Sequence, residues 1–376
     1  MKYLQIVILI LILSACIEKY DFNVENENKG IVVEAQFSNK SFEDTKLYPS
    51  EGRYFQLKLS HTSDVDNIRD DKISGARILL IDSDGNEYMY TETTAEGIYE
   101  LKYPNLRAED GKKYKLSITL EEGQMFESRW ESVNHSGNKL GEFSFKETQK
   151  ETYVFTYDKK DIKTLNGINL AINIPKKENK EPIFYKWKFE PLWVFRASLP
   201  PENSPVKQCW VTSDYYLNDF VLLKDNFGGG FNQNLFFLQI KENDKTYVYF
   251  STLVIQEELS EDYFNFWKDF QAQKEKGGLF DQPPFGLPTN LKPTNNNWTV
   301  NGFFGIVNEE AIRWELDPLA LSYVIKNNLD YLCNLPQGPP VPGKPSDCKD
   351  CRSYSDGISV TKEPSWWNKN LNLGEK

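Results

Sequence analysis

Between residues 30 and 131 apolar side chains recur at every second position, in short runs separated by turn residues. Phe55, Leu57 and Leu59 alternate with Tyr54, Gln56, Lys58 and Ser60. A period of two gives a strand one apolar face and one polar face, and no helix can gather such a pattern onto one side. The predicted strands are Ile31–Phe37, Tyr54–His61, Ala76–Asp82, Glu87–Glu92, Gly97–Lys102, Lys113–Leu120 and Gln124–Trp130. Asp82-Ser83-Asp84-Gly85-Asn86 joins two of them as a hairpin turn. It also resembles the start of a calcium loop, but the twelfth position is Thr93 where that loop needs Glu, so the turn is the better reading. Seven short strands with turns between them predict an immunoglobulin-like sandwich over residues 30–131.

A polar break at Asn134–Gly141 sets the expected boundary, and a larger β-rich domain is expected over 132–332. Its predicted strands are Tyr153–Tyr157, Ile168–Ile174, Phe184–Arg196, Gln208–Thr212, Leu235–Ile240, Tyr247–Gln256, Trp298–Val307 and Ala311–Leu316. In one of them Tyr185, Trp187 and Phe189 share a face opposite Lys186, Lys188 and Glu190. One amphipathic helix is expected over 261–276. Ser260 supplies its N-cap, Glu261 and Asp262 suit its positive end, and Gly277-Gly278 stops it. Tyr263, Phe266, Trp267 and Phe270 form its apolar stripe, which reads as core packing. Leu319–Asn328 reads as a further short helix, and residues 333–376 as a loop-rich tail containing cysteines. The fold class expected is therefore mainly β, a sandwich followed by a larger β-rich domain with one inserted helix.

The amino terminus constrains location. Leu4–Leu13 is an unbroken apolar run of ten residues behind Lys2. A spanning helix needs roughly 20 apolar residues, so the run reads as the hydrophobic region of a signal peptide, residues 1–15. It ends in Leu13-Ser14-Ala15-Cys16, which looks like a bacterial lipobox. In that reading Cys16 carries the lipid, two or three acyl chains make a stable anchor, and residues 16–29 form a polar tether. The expected location is a membrane surface, with the lipid as attachment.

Four further cysteines remain, Cys209, Cys333, Cys348 and Cys351. An even number in an exported chain favours disulfides, with three pairings open. Cys348-Lys-Asp-Cys351 has the spacing of a zinc or redox motif, but no second pair accompanies it and it lies in a Pro-rich tail. Two disulfides are expected, Cys348–Cys351 and Cys209–Cys333.

Chemistry is sparse. There are 44 basic and 55 acidic residues, for a net charge of −11, which speaks against nucleic acid as a partner. His61 and His135 are the only histidines, so neither a histidine metal centre nor a cofactor is expected. No Gly-x-Ser-x-Gly elbow is present, and a triad would have to use one of those two histidines. Carboxylates are many and spread, and no catalytic residue is singled out. Trp193, Trp210, Trp298, Trp366 and Trp367 are candidate platforms for stacking a sugar.

Several motifs together carry a resemblance. They include the lipobox with Ile17-Glu18-x-x-Asp21, Ile31-Val32-Val33-Glu34-Ala35, Ser74-Gly75-Ala76 and Gly97-Ile98-Tyr99. Gly111 to Leu116, Tyr185-Lys186-Trp187, Cys209-Trp210, Gly277 to Asp281, Gly302-Phe303-Phe304, Cys348-x-x-Cys351-Arg352 and Pro364-Ser365-Trp366-Trp367 follow in order. The chain resembles the Bacteroidota outer-membrane lipoproteins called domain of unknown function 4249. The tail departs from the resemblance at Ser353 to Gly357, where a glycine-rich stretch is usual. The resemblance implies a setting beside TonB-dependent transporters and transfers no catalytic residue. The function expected is a non-enzymatic accessory or ligand-capture lipoprotein of such an uptake system, with an unidentified ligand. The alternatives are an envelope-structural or adhesive lipoprotein and a glycan or peptide hydrolase. Docking to the transporter is assigned to the long loops Leu199–Lys207, Asp225–Asn234 and Gln282–Asn297, with Phe227, Phe231 and Phe285 as candidate anchors.

Overall fold

The computed structural model describes residues 30–62, 71–133, 139–156, 159–178, 181–201, 204–275, 286–326, 333–334 and 346–367. The signal peptide, Cys16, the tether and Phe285 lie outside them. In chain order the strands are β1 Gly30–Ser38, β2 Phe55–His61, β3 Arg77–Asp82, β4 Glu87–Met89, β5 Thr91–Glu92, β6 Ile98–Leu101, β7 Lys113–Thr119, β8 Met125–Ser128 and β9 Glu131–Ser132. They continue as β10 Phe143–Thr156, β11 Lys159–Ile174, β12 Ile183–Arg196, β13 Gln208–Thr212, β14 Val221–Asp225, β15 Phe231–Gln239, β16 Tyr249–Leu259, β17 Leu291–Pro293, β18 Thr299–Glu315 and β19 Ile358–Val360. Two α-helices are α1 Phe42–Lys46 and α2 Glu261–Glu275. The protein is mainly β, as the alternation predicts.

One large sheet organises the molecule, in the order β19-β13-β12-β16-β18-β1-β2-β6-β5, with β14 also on β12. Over the β1 end lies a second sheet, β17-β8-β7-β3-β4, with β9 on β7. The core between these two holds Val33, Phe37, Leu57, Leu59, Leu80, Tyr99, Leu116 and Phe126. Over the β12 end lies a third sheet, β10-β11-β15. Tyr185 and Trp187 meet Leu170, Ile172 and Leu235 there. The predicted split of β12 into an aromatic and a charged face is therefore real: the aromatic face builds the sandwich, and Trp187 Nε1 donates to Gln256 at 3.1 Å.

The first sandwich is completed from far along the chain. β1 pairs in parallel with the first half of β18, Gly30 opposite Thr299 and Ser38 opposite Val307. Leu291, Val300, Phe304 and Ile306 join its core. The limits 30–131 and 132–332 are thus crossed by one continuous sheet, because β18 passes from β1 to β16, where Asn308 faces Glu258 and Glu315 faces Ser251. Gly302 permits the close parallel approach. Its φ is +96°, and a Cβ there would stand 1.9 Å from the Val33 carbonyl oxygen.

Helix α2 matches its predicted start. The Tyr263 amide donates to Ser260 Oγ at 3.3 Å. Tyr263, Phe264 and Phe266 pack against Phe184, Leu259, Phe303 and Val307 on the large sheet. Phe264 lies within this contact, although it sits off the predicted stripe, and Phe270 is largely exposed. Leu319–Asn328 is not a helix over its described part: it begins with a short 3-10 turn, Pro318–Ala320.

Candidate functional site

Beyond α2, the charged face of β12 builds a buried ionic belt. Glu257 on β16 sits opposite Lys186, and Glu309 on β18 opposite Glu257. Glu257 takes Lys186 Nζ at 3.2 Å and Lys188 Nζ at 2.7 Å, and accepts from Gln36 Nε2 at 2.7 Å. Arg53, in the loop before β2, reaches Glu309 and Glu190, the latter at 3.2 Å. Burial alone would raise the Glu257 carboxyl; the two lysines outweigh it and hold the group well below the usual carboxylate range. With one carboxylate shared between two ammonium groups, burial pulls Lys186 down to about 8. Lys186 Nζ also lies 3.6 Å from the centre of the Trp267 ring. These carboxylates are committed to cations, and Glu257 and Glu309 are shut from water, which makes the belt a structural network holding sheet, helix and the 50–53 loop together.

Farther along the same face a cleft of about 760 Å³ opens. Its floor is Leu192 and Pro191 of β12. Its walls are Trp210 and Thr212 of β13, the Ser50–Arg53 turn, and the tail from Val360 to Trp366. The order of these pieces follows from three ties. Cys209 is bonded to Cys351, β19 pairs with β13 with Val360 opposite Trp210, and Glu51 accepts from the Ser365 amide at 2.7 Å and hydroxyl at 2.8 Å. The Pro364-Ser365-Trp366-Trp367 end folds back on itself, the Trp367 amide donating to Pro364 O at 3.0 Å. Trp367 packs edge-on against Trp210 and Tyr249.

Arg313 of β18 lines this cleft and lies over the Trp366 ring, 4.3 Å from its centre. Its Nε donates to Pro49 O at 2.7 Å and one terminal nitrogen donates to Ser251 Oγ at 3.2 Å. Burial lowers its pKa to about 10. Among the described residues no carboxylate comes within 4.0 Å of it, in contrast to Arg53, Lys186 and Lys188. Trp210, 6% exposed, has an Nε1 that meets no acceptor.

The sequence candidates separate on this frame. Trp210 and Trp366 line the cleft and Trp367 supports it. Trp193 is core, and Trp298 packs against Phe126 and His61 in the first sandwich. All four candidate cysteines are in disulfides, but the expected pairing is corrected: Cys209 bonds Cys351 and Cys333 bonds Cys348. The 3-10 turns Ser346–Cys348 and Cys351–Ser353 turn the two neighbours apart, so that Cys351 meets the sheet edge and Cys348 faces back to Cys333. Among the described residues no cluster of His, Cys, Asp or Glu could hold a metal ion. Of the docking candidates, Phe227 is 79% exposed. Phe231 is instead the first residue of β15 and packs against the core beside Ile174 and Ile183. The Asp225–Asn234 loop shrinks to five residues, because its ends are strands.

Neither Arg313 nor the hairpin arm was marked from the sequence. β10 and β11 pair over their full lengths, from Phe143–Ile172 to Thr156–Lys159, while β15 covers β11 only from Gly167 onward. The remainder projects as a two-stranded ribbon. Tyr153 pairs with Ile162, and these two and Phe155 lie on one face, all more than 60% exposed.

No curated protein matches the chain. Among solved structures, a DUF4785 family protein from Legionella pneumophila is similar at 7% identity, over 60% of this chain and 52% of that one, with a TM-score of 0.19. The match thus spans about half the length of that protein. The model of one family, Domain of unknown function (DUF4249), matches residues 17–313, and the chain belongs to that family.

Proposed function

We propose that this protein is an outer-membrane lipoprotein, anchored through Cys16, that captures a small ligand for a TonB-dependent uptake system. The observation that carries the reading is the aromatic cleft and its distance from Gly30, where the described chain begins. The described chain leaves the tether at Gly30, opposite Thr299, whereas the cleft floor lies beside Ser251, opposite Glu315. Sixteen residues of strand separate these points, up to about 50 Å at about 3.3 Å per residue. A chain that enters at one end of the sheet and a recessed, aromatic-walled cleft toward the other suit a protein that presents a ligand site. The anchor confines the protein to the transporter's surface, where modest contacts suffice through high effective concentration. Phe227 and the hairpin arm are the contact surfaces in this reading, since large exposed apolar groups mark interaction sites.

The experiment is affinity purification of the tagged protein from detergent-solubilised outer membranes, beside Cys16→Ser and a deletion of residues 151–166. A TonB-dependent transporter should accompany the wild type, fall away with the arm deletion, and be lost with Cys16→Ser, which should leave the membrane fraction or remain unprocessed. Purification of the wild type without a transporter refutes the uptake role, and normal membrane retention of Cys16→Ser refutes the anchor.

A further inference from the structure

We propose that the cleft binds an acidic oligosaccharide, with Arg313 pairing to the carboxylate of a uronic acid unit and the Trp366 wall lying along the sugar. The proposal rests on the ligand-capture reading and names the chemistry of its ligand.

Four cations are buried or half-buried on this face of the large sheet. Arg53 is neutralised by Glu190 and Glu309, and Lys186 and Lys188 share Glu257. Arg313 is left without a carboxylate among the described residues. It spends two of its five donors on a carbonyl and a hydroxyl. Glu190 acts on this guanidinium only from beyond ion-pair contact, and a ligand carboxylate is the group that matches its fork. Four acids line the cleft: Glu51 accepts from Ser365, Glu190 pairs with Arg53, and Asp214 and Glu363 make no ion pair with a described residue.

The remaining lining distinguishes a sugar from a peptide. An extended peptide recognised by strand addition needs unpaired main-chain groups. Here β13 is paired on both sides over residues 210–212, with β12 and β19, and the sheet edge beside the cleft is the three-residue β19, too short for a ladder of more than one or two bonds. What the cleft offers instead is an indole ring beside side-chain acceptors. Asp214 and Asn218 line it, and their side chains hold no hydrogen bond to another described residue. A ring with one apolar side, several hydroxyls and a carboxylate fits that set.

The test is calorimetric titration of the detergent-solubilised full-length protein with galacturonate, glucuronate and mannuronate trimers. Each is compared with its carboxyl-reduced neutral counterpart, and a hydrophobic tripeptide is titrated alongside. At least one uronate trimer should bind, and its neutral counterpart should bind on the order of ten- to a hundredfold more weakly, the range of one charge-assisted hydrogen-bonded contact. Arg313→Gln should produce the same loss for the uronate and little change for the neutral sugar, and Trp366→Ala should weaken both. The ligand-side comparison stands even if Arg313→Gln fails to fold. A neutral trimer that binds as tightly as its acid overturns the carboxylate assignment and leaves ligand capture intact. Binding of the tripeptide alone overturns the sugar assignment. No binding by any probe overturns the proposal, while the transporter purification still judges the uptake role separately.

Discussion

Replacing Cys209 and Cys351 together with Ala removes the bond that seats the tail on the sheet edge. The two residues are 142 positions apart, whereas Cys333 and Cys348 are 15 apart. A crosslink restricts the unfolded chain by an entropy that grows with the logarithm of the loop. At 25 °C that relation gives about 5 kcal/mol for the long loop and about 3 kcal/mol for the short one. Both are upper values, since denatured chains retain some compactness. The ranking is the robust part: the Cys209/Cys351 variant should lose more stability than a Cys333→Ala/Cys348→Ala variant. Guanidinium unfolding followed by tryptophan fluorescence measures both. The long-loop variant should also free the tail, since β19 contributes only a three-residue ladder and Trp366 and Trp367 dock through it. Early proteolysis within residues 352–367 would report that release. An equal or smaller loss than the short-loop variant would refute the reasoning, as would a non-reducing peptide map joining Cys348 to Cys351.

Three further outcomes are expected. Lys186 has its pKa lowered by burial from 10.5 to about 8, so the unfolded state binds more protons between those values and stability rises with pH across that window. The gain should be on the order of 2 kcal/mol between pH 8 and 10 and absent in Lys186→Met, measured by urea unfolding at stepped pH. Glu257 has the same sign in the acid range: its pKa is also lowered on folding, so its contribution is complete above about pH 4.5 and is lost as pH falls, and Glu257→Gln should flatten the acid limb of the same profile. Gly302→Ala should destabilise by more than about 1 kcal/mol, because its positive φ and the Val33 carbonyl leave no space for a Cβ; thermal melting at or above the wild-type temperature would contradict this.

Local pattern was enough for several strands. β1, β2, β7, β12 and β13 lie within a residue or so of their predicted limits, and α2 starts where Ser260 caps it, while its predicted stop at Gly277-Gly278 lies outside the described residues. Where the sequence misled, the cause was a distant partner. Asn308-Glu309-Glu310 reads as a polar break between two strands, yet β18 runs straight through. Asn308 donates to Glu258 at 3.0 Å, Arg53 takes Glu309, and Lys40 takes Glu310 at 2.9 Å. Glu309 and Glu310 can lie mid-strand because residues more than 200 positions earlier supply the opposite charges, and Asn308 because Glu258 on the neighbouring strand accepts from it. The opposite happens at Glu87–Glu92, which reads as one strand and is two. It changes sheets at buried Tyr90, so that β4 pairs with β3 and β5 with β6.

The cleft was legible only in its aromatic part. Trp210 and Trp366 stand out by composition, but Arg313 is one arginine in a strand, and its want of a counter-ion exists only once β18, β16 and the tail are assembled. The disulfide connectivity belongs to the same class. Two cysteines separated by two residues invite a local bond, and the two 3-10 turns that direct them to different partners leave no mark on the spacing. The ribbon of β10 and β11 was legible only at Tyr153–Tyr157: the stretch from Lys146 to Thr152 is polar, which breaks the alternation between Phe145 and Tyr153.

The central claim is that the cleft walled by Trp210, Arg313 and Trp366 captures a small ligand. The most direct measurement is binding of the labelled full-length protein to an array of glycans and short peptides, beside Trp366→Ala of equal thermal stability. The account predicts a defined set of bound compounds for the wild type and loss of that set in Trp366→Ala. An array left empty by the wild type, or the same set bound undiminished by Trp366→Ala, would contradict it.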